Sequence, residues 1–477
     1  MNSKFHIIAA AICCCQLSAV SVKAQETRLT SPSQGVNLTI YNSNSGGLGV
    51  VKDLREIELK SGVNFVRFED VAAKIDPTSV SLQSLTAPNT VVVREQNYQY
   101  DLLSPATILS KSIGKQIKFK RPILGGGTEE VSGELLGTDG PVIRTASGIV
   151  INPTGQSGGQ IELSELPEGL ISKPSLLWKL ESDRAGKHNI EITYQTSGMD
   201  WHCDYVALID EDDAKADLNS WVTLDNQSGA SYKHANLKLV AGDVHRVQPR
   251  MPVAYGMVRA ALSNAAPAPQ FNESSFAEYH LYTLQNKTDV NENEMKQLSL
   301  FNASNIPIKK MYVFDSDSGY YIPPPQENSQ KVKVKLEFAN STANNLGMPL
   351  PKGKVRVYKH DNDGALQFVG EDEIDHTPKD EKIRLYIGDA FDIVGQRTQT
   401  NVQHVDNSTQ RLSYEITLHN HKNSAVTVTD VEHSQAVWKI TSSSMPYTKK
   451  DAHTFEFAAD IPANGTAVIN YTIEVRY

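Results

Sequence analysis

Cysteine is almost missing from this chain. Of four in 477 residues, Cys13, Cys14 and Cys15 are adjacent near the start, and Cys203 stands alone in everything that follows. Once the first two dozen residues are removed, no intramolecular disulfide can form, and stability has to come from packed cores. Long apolar runs are scarce as well: past residue 24 none approaches the roughly 18 residues that a membrane-spanning helix needs. Basic clusters are absent too. Lys and Arg number 46 against 55 Asp and Glu, a formal charge of −9, which argues against nucleic acid and against anionic membrane surfaces as partners. There is no phosphate-cradling glycine loop and no His-Glu-x-x-His helix. These absences lower the case for an enzyme without removing it.

What is present begins with a leader. Met1 to Ala24 carries Lys4, an apolar run from Phe5 to Val22, and the small-x-small sequence Val22-Lys-Ala24. That pattern predicts a secretory signal peptide over residues 1–24, with the mature chain starting near Gln25 or Glu26. Lipoprotein processing at Cys13 is disfavoured because Ile12 precedes it where a small residue is required. Loss of Lys4 and Lys23 with the leader takes the formal charge from −9 to −11.

The remainder reads as strands. Val36 to Tyr41 and Val50 to Phe68 suggest a small N-terminal β unit over 25–100. Ser104-Pro105, with Ile108, Leu109 and Ile113 on one face, marks a short helix between Asp101 and Gln116. Five brief strands with glycine at their corners follow, and together with the helix they predict a small β-barrel-like insert over 101–172. Residues 173–258 carry strand patterns at 189–194, 205–209, 221–224 and 237–240, spaced for a β-sandwich with Trp201 and Trp221 in its core. Arg259 to Ser275, without periodicity and with Ala-Ala-Pro-Ala-Pro in its middle, reads as a linker or flexible loop. Residues 276–405 form a further β region with an acidic loop. Residues 406–477 read as an immunoglobulin-like sandwich ending on Ile469, Tyr471, Ile473, Val475 and Tyr477, all on one face. The predicted class is mainly β and multi-domain, with the barrel-like insert and immunoglobulin-like β-sandwiches.

The densest polar chemistry lies between 350 and 400. Val355 and Val357 alternate with Arg356 and Tyr358, and Ile383, Leu385 and Ile387 with Arg384 and Tyr386, so both runs are half-buried strands. Asp361-Asn-Asp-Gly364 is a hairpin turn, because Asn, Asp and Gly accept the positive φ it requires. Gly370 to Glu381 is too polar for a core and too acidic for an ordinary turn.

Three stretches resemble a bacterial family of secreted proteins of unknown function, some of whose relatives are labelled mucoidy inhibitor-like. They are Trp221-Val-Thr-Leu-Asp-Asn-Gln-Ser-Gly229, Leu237-Lys-Leu-Val-Ala-Gly-Asp243, and Gly370 to Pro378 together with Gly388 to Asp392. The resemblance covers nearly the whole mature chain. It implies an envelope or periplasmic, largely β protein, and it supplies no ligand, reaction or catalytic residue.

The residues therefore have to speak for themselves. Asp372, Asp375, His376, Asp380 and Asp389, with Asp392 close behind, are the candidate binding residues. Carboxylates with a histidine can hold a hard cation or zinc, yet their spacing fits no calcium loop or zinc helix. The bland alternative is a solvated turn whose Asp side chains bind local amides. His419-Asn-His421, with His433 nearby, places two imidazoles on one strand face and lacks the helix a ββα-metal nuclease needs. His202 and Cys203 are adjacent on a strand and point to opposite faces, so they do not pair as base and nucleophile. No catalytic residue, metal site or cofactor is assigned. The preferred reading is a non-enzymatic binding or assembly module of the periplasm or cell envelope, partnered by another envelope protein or surface component. The alternative is a metal-dependent or carboxylate-based hydrolase using residues 370–392, with Asp372, Asp375 and His376 as acid, base or ligands.

Overall fold

A computed structural model of the chain describes residues 26–29, 33–42, 47–122, 127–138, 140–151, 160–242, 270–315 and 330–477. The predicted leader, and residues 259–269 of the predicted linker, lie outside them. The described residues are dominated by strands, with one α-helix, Pro105–Ser110, and one short 3-10 turn, Thr342–Asn344. None of their helices is long and apolar enough to cross a membrane.

The helix forms where Ser104 and Pro105 predict it. Ser104 has extended backbone, and its hydroxyl accepts a hydrogen bond from Thr107 N at 3.1 Å, satisfying one of the first-turn amides. It is only six residues long, too short to stand without packing.

Two compact units divide the described chain, and neither is continuous in sequence. One takes residues 54–71 and 82–191 with the N-terminal stretch to 33; the other takes 34–53, 72–81 and 192–477. The chain passes between them within the strands Leu48–Leu59, Ile75–Ser84 and Gly186–Thr196. The first unit holds a four-stranded sheet in the order Glu26–Leu29, Gly62–Glu69, Ser175–Ser182, Val91–Gln99. It also holds the insert, which is not a barrel. Its five strands form an open antiparallel sheet in the order Gly148–Ile151, Val142–Thr145, Thr128–Gly137, Gln116–Pro122, Gln160–Leu163. The physical reason is size: Ile117, Phe119, Leu135 and Ile143 fill one face, Leu109 of the helix packs on them, and the edge strands are four residues long. So small a core is closed by a helix without the sheet having to meet itself.

The second unit contains a five-stranded sheet in the order Glu294–Pro307, Lys215–Asn226, Met199–Ile209, Gly353–His360, Leu366–Ile374. Alternation governs it. Met199, Trp201, Cys203, Tyr205, Ala207 and Ile209 all turn inward and are buried, while Asp200, His202 and Asp204 turn outward. Trp201 meets Tyr282 edge-on at 6.1 Å. Trp221, expected beside Trp201 in the core, is on the opposite face: Val222 and Leu224 take the inward positions, and Trp221 sits half-buried opposite Asp204. An eight-stranded sheet includes Phe271–Phe276, which pairs antiparallel with Tyr279–Leu284. The last residues of the predicted linker are therefore strand, anchored by buried Phe271 and turned at Ala277, whose φ is +52°.

The C-terminal sandwich draws in earlier chain. Its nine strands run Val437–Ser443, Thr466–Arg476, Thr409–Asn420, Lys382–His404, Gln330–Ala339, Lys309–Asp315, Val426–His433, Thr454–Ile461, Tyr447–Lys449. The sheet curls until its ends pack on each other, with Phe455 at 5.5 Å from Tyr471 and 4.8 Å from Trp438. Ile469, Tyr471, Ile473 and Val475 are buried as their alternation predicts, and Tyr477 is exposed.

Candidate functional site

The Asp361–Gly364 turn closes a hairpin, with Gly364 N donating to Asp361 O at 3.0 Å and Gly364 at φ +80°. It joins Gly353–His360 to Leu366–Ile374, the outermost strand of the five-stranded sheet. The acidic stretch thus begins as strand: Glu371 pairs opposite Arg356, Asp372 opposite Val355, and Ile374 is buried. Gly370 is needed for a close approach, since a Cβ there would lie 2.0 Å from Ile387 O.

Each candidate residue has a definite place. Asp372 is half-buried, and its carboxylate accepts from Tyr386 N at 2.7 Å and Glu373 N at 2.9 Å. Tyr386 in turn donates its hydroxyl to Asp389 at 2.8 Å, and that hydrogen bond pushes the phenol pKa up. Asp372 and Asp389 are thereby gathered around one tyrosine. Asp375 is exposed and accepts from His376 N at 2.8 Å. His376 Nδ1 accepts from Lys352 N at 3.1 Å, so that nitrogen carries no proton. Asp380 is exposed at φ +67°, and its amide donates to Asn340 O at 2.7 Å. Asp392 is half-buried, its carbonyl accepting from His421 N. Among the described residues no group of three or more His, Cys, Asp or Glu converges as a metal would require.

The histidine pair behaves as a surface pair. His419 and His421 lie with ring centroids 6.3 Å apart, and His419 bonds Thr466 at 2.9 Å. His433 instead meets Asp315 at 3.2 Å. Between the pair, Asn420 is buried, donating to Ser424 O and Pro462 O while accepting from Lys422 N. Asn226, inside the first family-like stretch, stitches a turn the same way through Ala230 O, Asn291 O and Ser228, as does Asn340 through Met348 O, Pro378 O and Gly347 N. These buried amides are architectural, since a buried polar side chain is retained where its partners are complete.

One feature escaped the sequence. A line of hydrogen bonds and ion pairs crosses all five strands on the outward face: Gln297 to Thr223 at 3.2 Å, Thr223 to Asp204 at 2.6 Å, Arg356 to Asp204 at 3.2 Å, and Arg356 to Glu371 at 3.5 Å. His202 joins it 3.3 Å from Asp204. Burial works to raise the Asp204 pKa, and the hydrogen bonds of His202 and Thr223 with the Arg356 charge overcome it, holding the carboxyl at about 2. The same hydrogen bond lifts His202. The alternation Asp200-x-His202-x-Asp204 was the available signal. This polar line ends on Glu371, within the acidic stretch.

Next to it the edge strand turns apolar. Leu366, Phe368 and Val369 are 46%, 56% and 39% exposed, and Phe368 meets Tyr358 edge-on at 5.6 Å. Val369 falls where the register shifts, so it is an extra residue in the ladder, the position at which edge strands bend.

Fold and surface define a multi-domain, mainly β protein that presents an acidic and apolar sheet edge. Residues 190–477 match the family model described as a domain of unknown function, DUF4139, and the chain belongs to that family. No curated protein matches it.

Proposed function

We propose that this chain is an exported, non-enzymatic protein of the bacterial cell envelope that serves as a binding or assembly module. Its contact surface is the Leu366–Ile374 edge with the neighbouring carboxylates of Asp375, Asp380 and Asp389. The partner is another envelope protein or surface component. The observation that carries this reading is the exposure of Leu366, Phe368 and Val369 on the outermost strand of a sheet. An edge with large apolar side chains is a liability unless something covers it. Addition of a partner strand or a docked loop would satisfy it. Support for export comes from the composition of residues 1–24.

A photoreactive amino acid placed at position 368, with a control at exposed Ile149 of the insert, tests the proposal in cells. A discrete adduct from 368 and none from 149 is expected. No adduct from 368, or the same adduct from both positions, overturns the reading, and the intact mass of the purified chain checks cleavage near Ala24.

A further inference from the structure

The C-terminal sandwich holds a carboxyl group that its surroundings do not balance. On Val426–His433, Val428, Asp430 and Glu432 all point inward. Glu432 is fully provided for: Arg397 Nε bonds its two oxygens at 2.9 and 3.0 Å, Arg397 Nη2 reaches it at 2.9 Å, and Tyr471 donates its hydroxyl at 2.6 Å. Arg397 also lies 3.7 Å over the ring of Tyr414. Asp430, two residues away, is completely buried, and neither of its carboxyl oxygens has a hydrogen-bond partner.

The charges facing it make the imbalance plain. Its own strand contributes Glu432, Lys382–His404 contributes Arg397, and Lys309–Asp315 contributes Asp315. Asp315 is occupied by Lys333 at 3.4 Å and His433 at 3.2 Å. Thr466–Arg476 and Thr409–Asn420 offer Tyr471 and Tyr414, both already engaged with Arg397. Thr454–Ile461 presents Phe455, Phe457 and Ala459 to the core. One guanidinium thus serves two inward carboxyls, and a sealed, unpaired carboxylate is far too costly to keep ionised.

We propose that Asp430 is a proton-binding site whose occupancy couples closure of the C-terminal sandwich to pH. While the proton is held the curled sheet stays packed; as pH rises the proton is lost preferentially from opened forms, and the sandwich loosens. The sign follows from burial, which raises the Asp430 pKa far above its ordinary value. A carboxyl raised on folding stabilises the fold fully below its unfolded value, and that contribution is lost as pH climbs toward the folded value.

Hydrogen exchange on the full chain, expressed as protection relative to the intrinsic rate at each pH, tests this between pH 5 and 8. In wild type, protection of Val426–His433 and Thr454–Ile461 should fall by up to about tenfold per pH unit, the linkage slope for one proton. In Asp430→Asn, which mimics the neutral acid, that slope should vanish, while Met199–Ile209 behaves alike in both proteins. Parallel slopes in wild type and variant overturn the proposal. Should the variant fail to fold, infrared spectroscopy of wild type at pH 7 decides: the carbonyl band of a protonated carboxylic acid is expected, and its absence refutes the assignment.

Discussion

Replacing Arg397 by Met removes the guanidinium that pairs with Glu432 while keeping an unbranched stem against Tyr414. The Glu432 side chain is 1% exposed and that of Arg397 19%, so solvent does little to screen the pair. Removing one partner of a buried pair costs on the order of 3–5 kcal/mol, because the remaining charge is stranded. Tyr471 still donates to Glu432, which places the expected loss near the lower end, about 3 kcal/mol. Adding Glu432→Gln should return more than half of it, since the amide is neutral and still accepts from Tyr471. Urea-dependent hydrogen exchange of amides in Thr466–Arg476 reads the sandwich without interference from the other sheets. A loss below about 1 kcal/mol, the worth of an exposed ion pair, would refute the reasoning: the interior around Glu432 would then be wet and the sandwich open there.

Cys203 is fully buried, and burial pushes its thiol up to about 12. The native protein should therefore resist a thiol reagent until it is unfolded, and labelling as fast as a free thiol would contradict that burial. The Asp204 carboxyl, held at about 2, contributes stability above the unfolded carboxylate range that disappears as pH falls toward 2. The shift is worth about 2 kcal/mol, and Asp204→Asn should flatten the acid limb of the stability curve between pH 4 and 2, measured by urea titration. An unchanged limb would mean that the polar line across the sheet holds Asp204 no better than water does.

Alternation made the strands legible. Met199 to Ile209, Val355 to Tyr358 and Ile383 to Ile387 all have the faces that a period of two assigns them. Pairing over distance was not legible. Lys309–Asp315 lies parallel to Val426–His433, so the last sandwich could not be bounded from residues 406–477 alone. Closure is another non-local property: five short strands suggest a barrel, and the space left by four core side chains makes an open sheet instead. Residues 370–374 look like loop because exposed acids mask a strand whose single inward anchor is Ile374. Of the candidate residues, Asp372 and His376 turn out to brace neighbouring backbone amides. Their removal would confuse support with recognition. Asp430 gave no local signal, since Val-Thr-Asp-Val-Glu differs from a polar edge strand only in which face is covered.

The most direct test of the surface assigned here removes charge and leaves shape. Asp375→Asn, Asp380→Asn and Asp389→Asn, combined, each keep a carboxamide oxygen as an acceptor; Asp372, whose two oxygens both hold backbone amides, is left in place, and Asn tolerates the left-handed backbone of Asp380. The yield of the photo-adduct from position 368 is measured in this variant beside its melting temperature. If the edge recognises its partner with the help of these carboxylates, adduct yield should fall about tenfold or more, equivalent to about 1.4 kcal/mol of binding, with melting within a few degrees of wild type. Undiminished adduct in a folded variant would contradict the account.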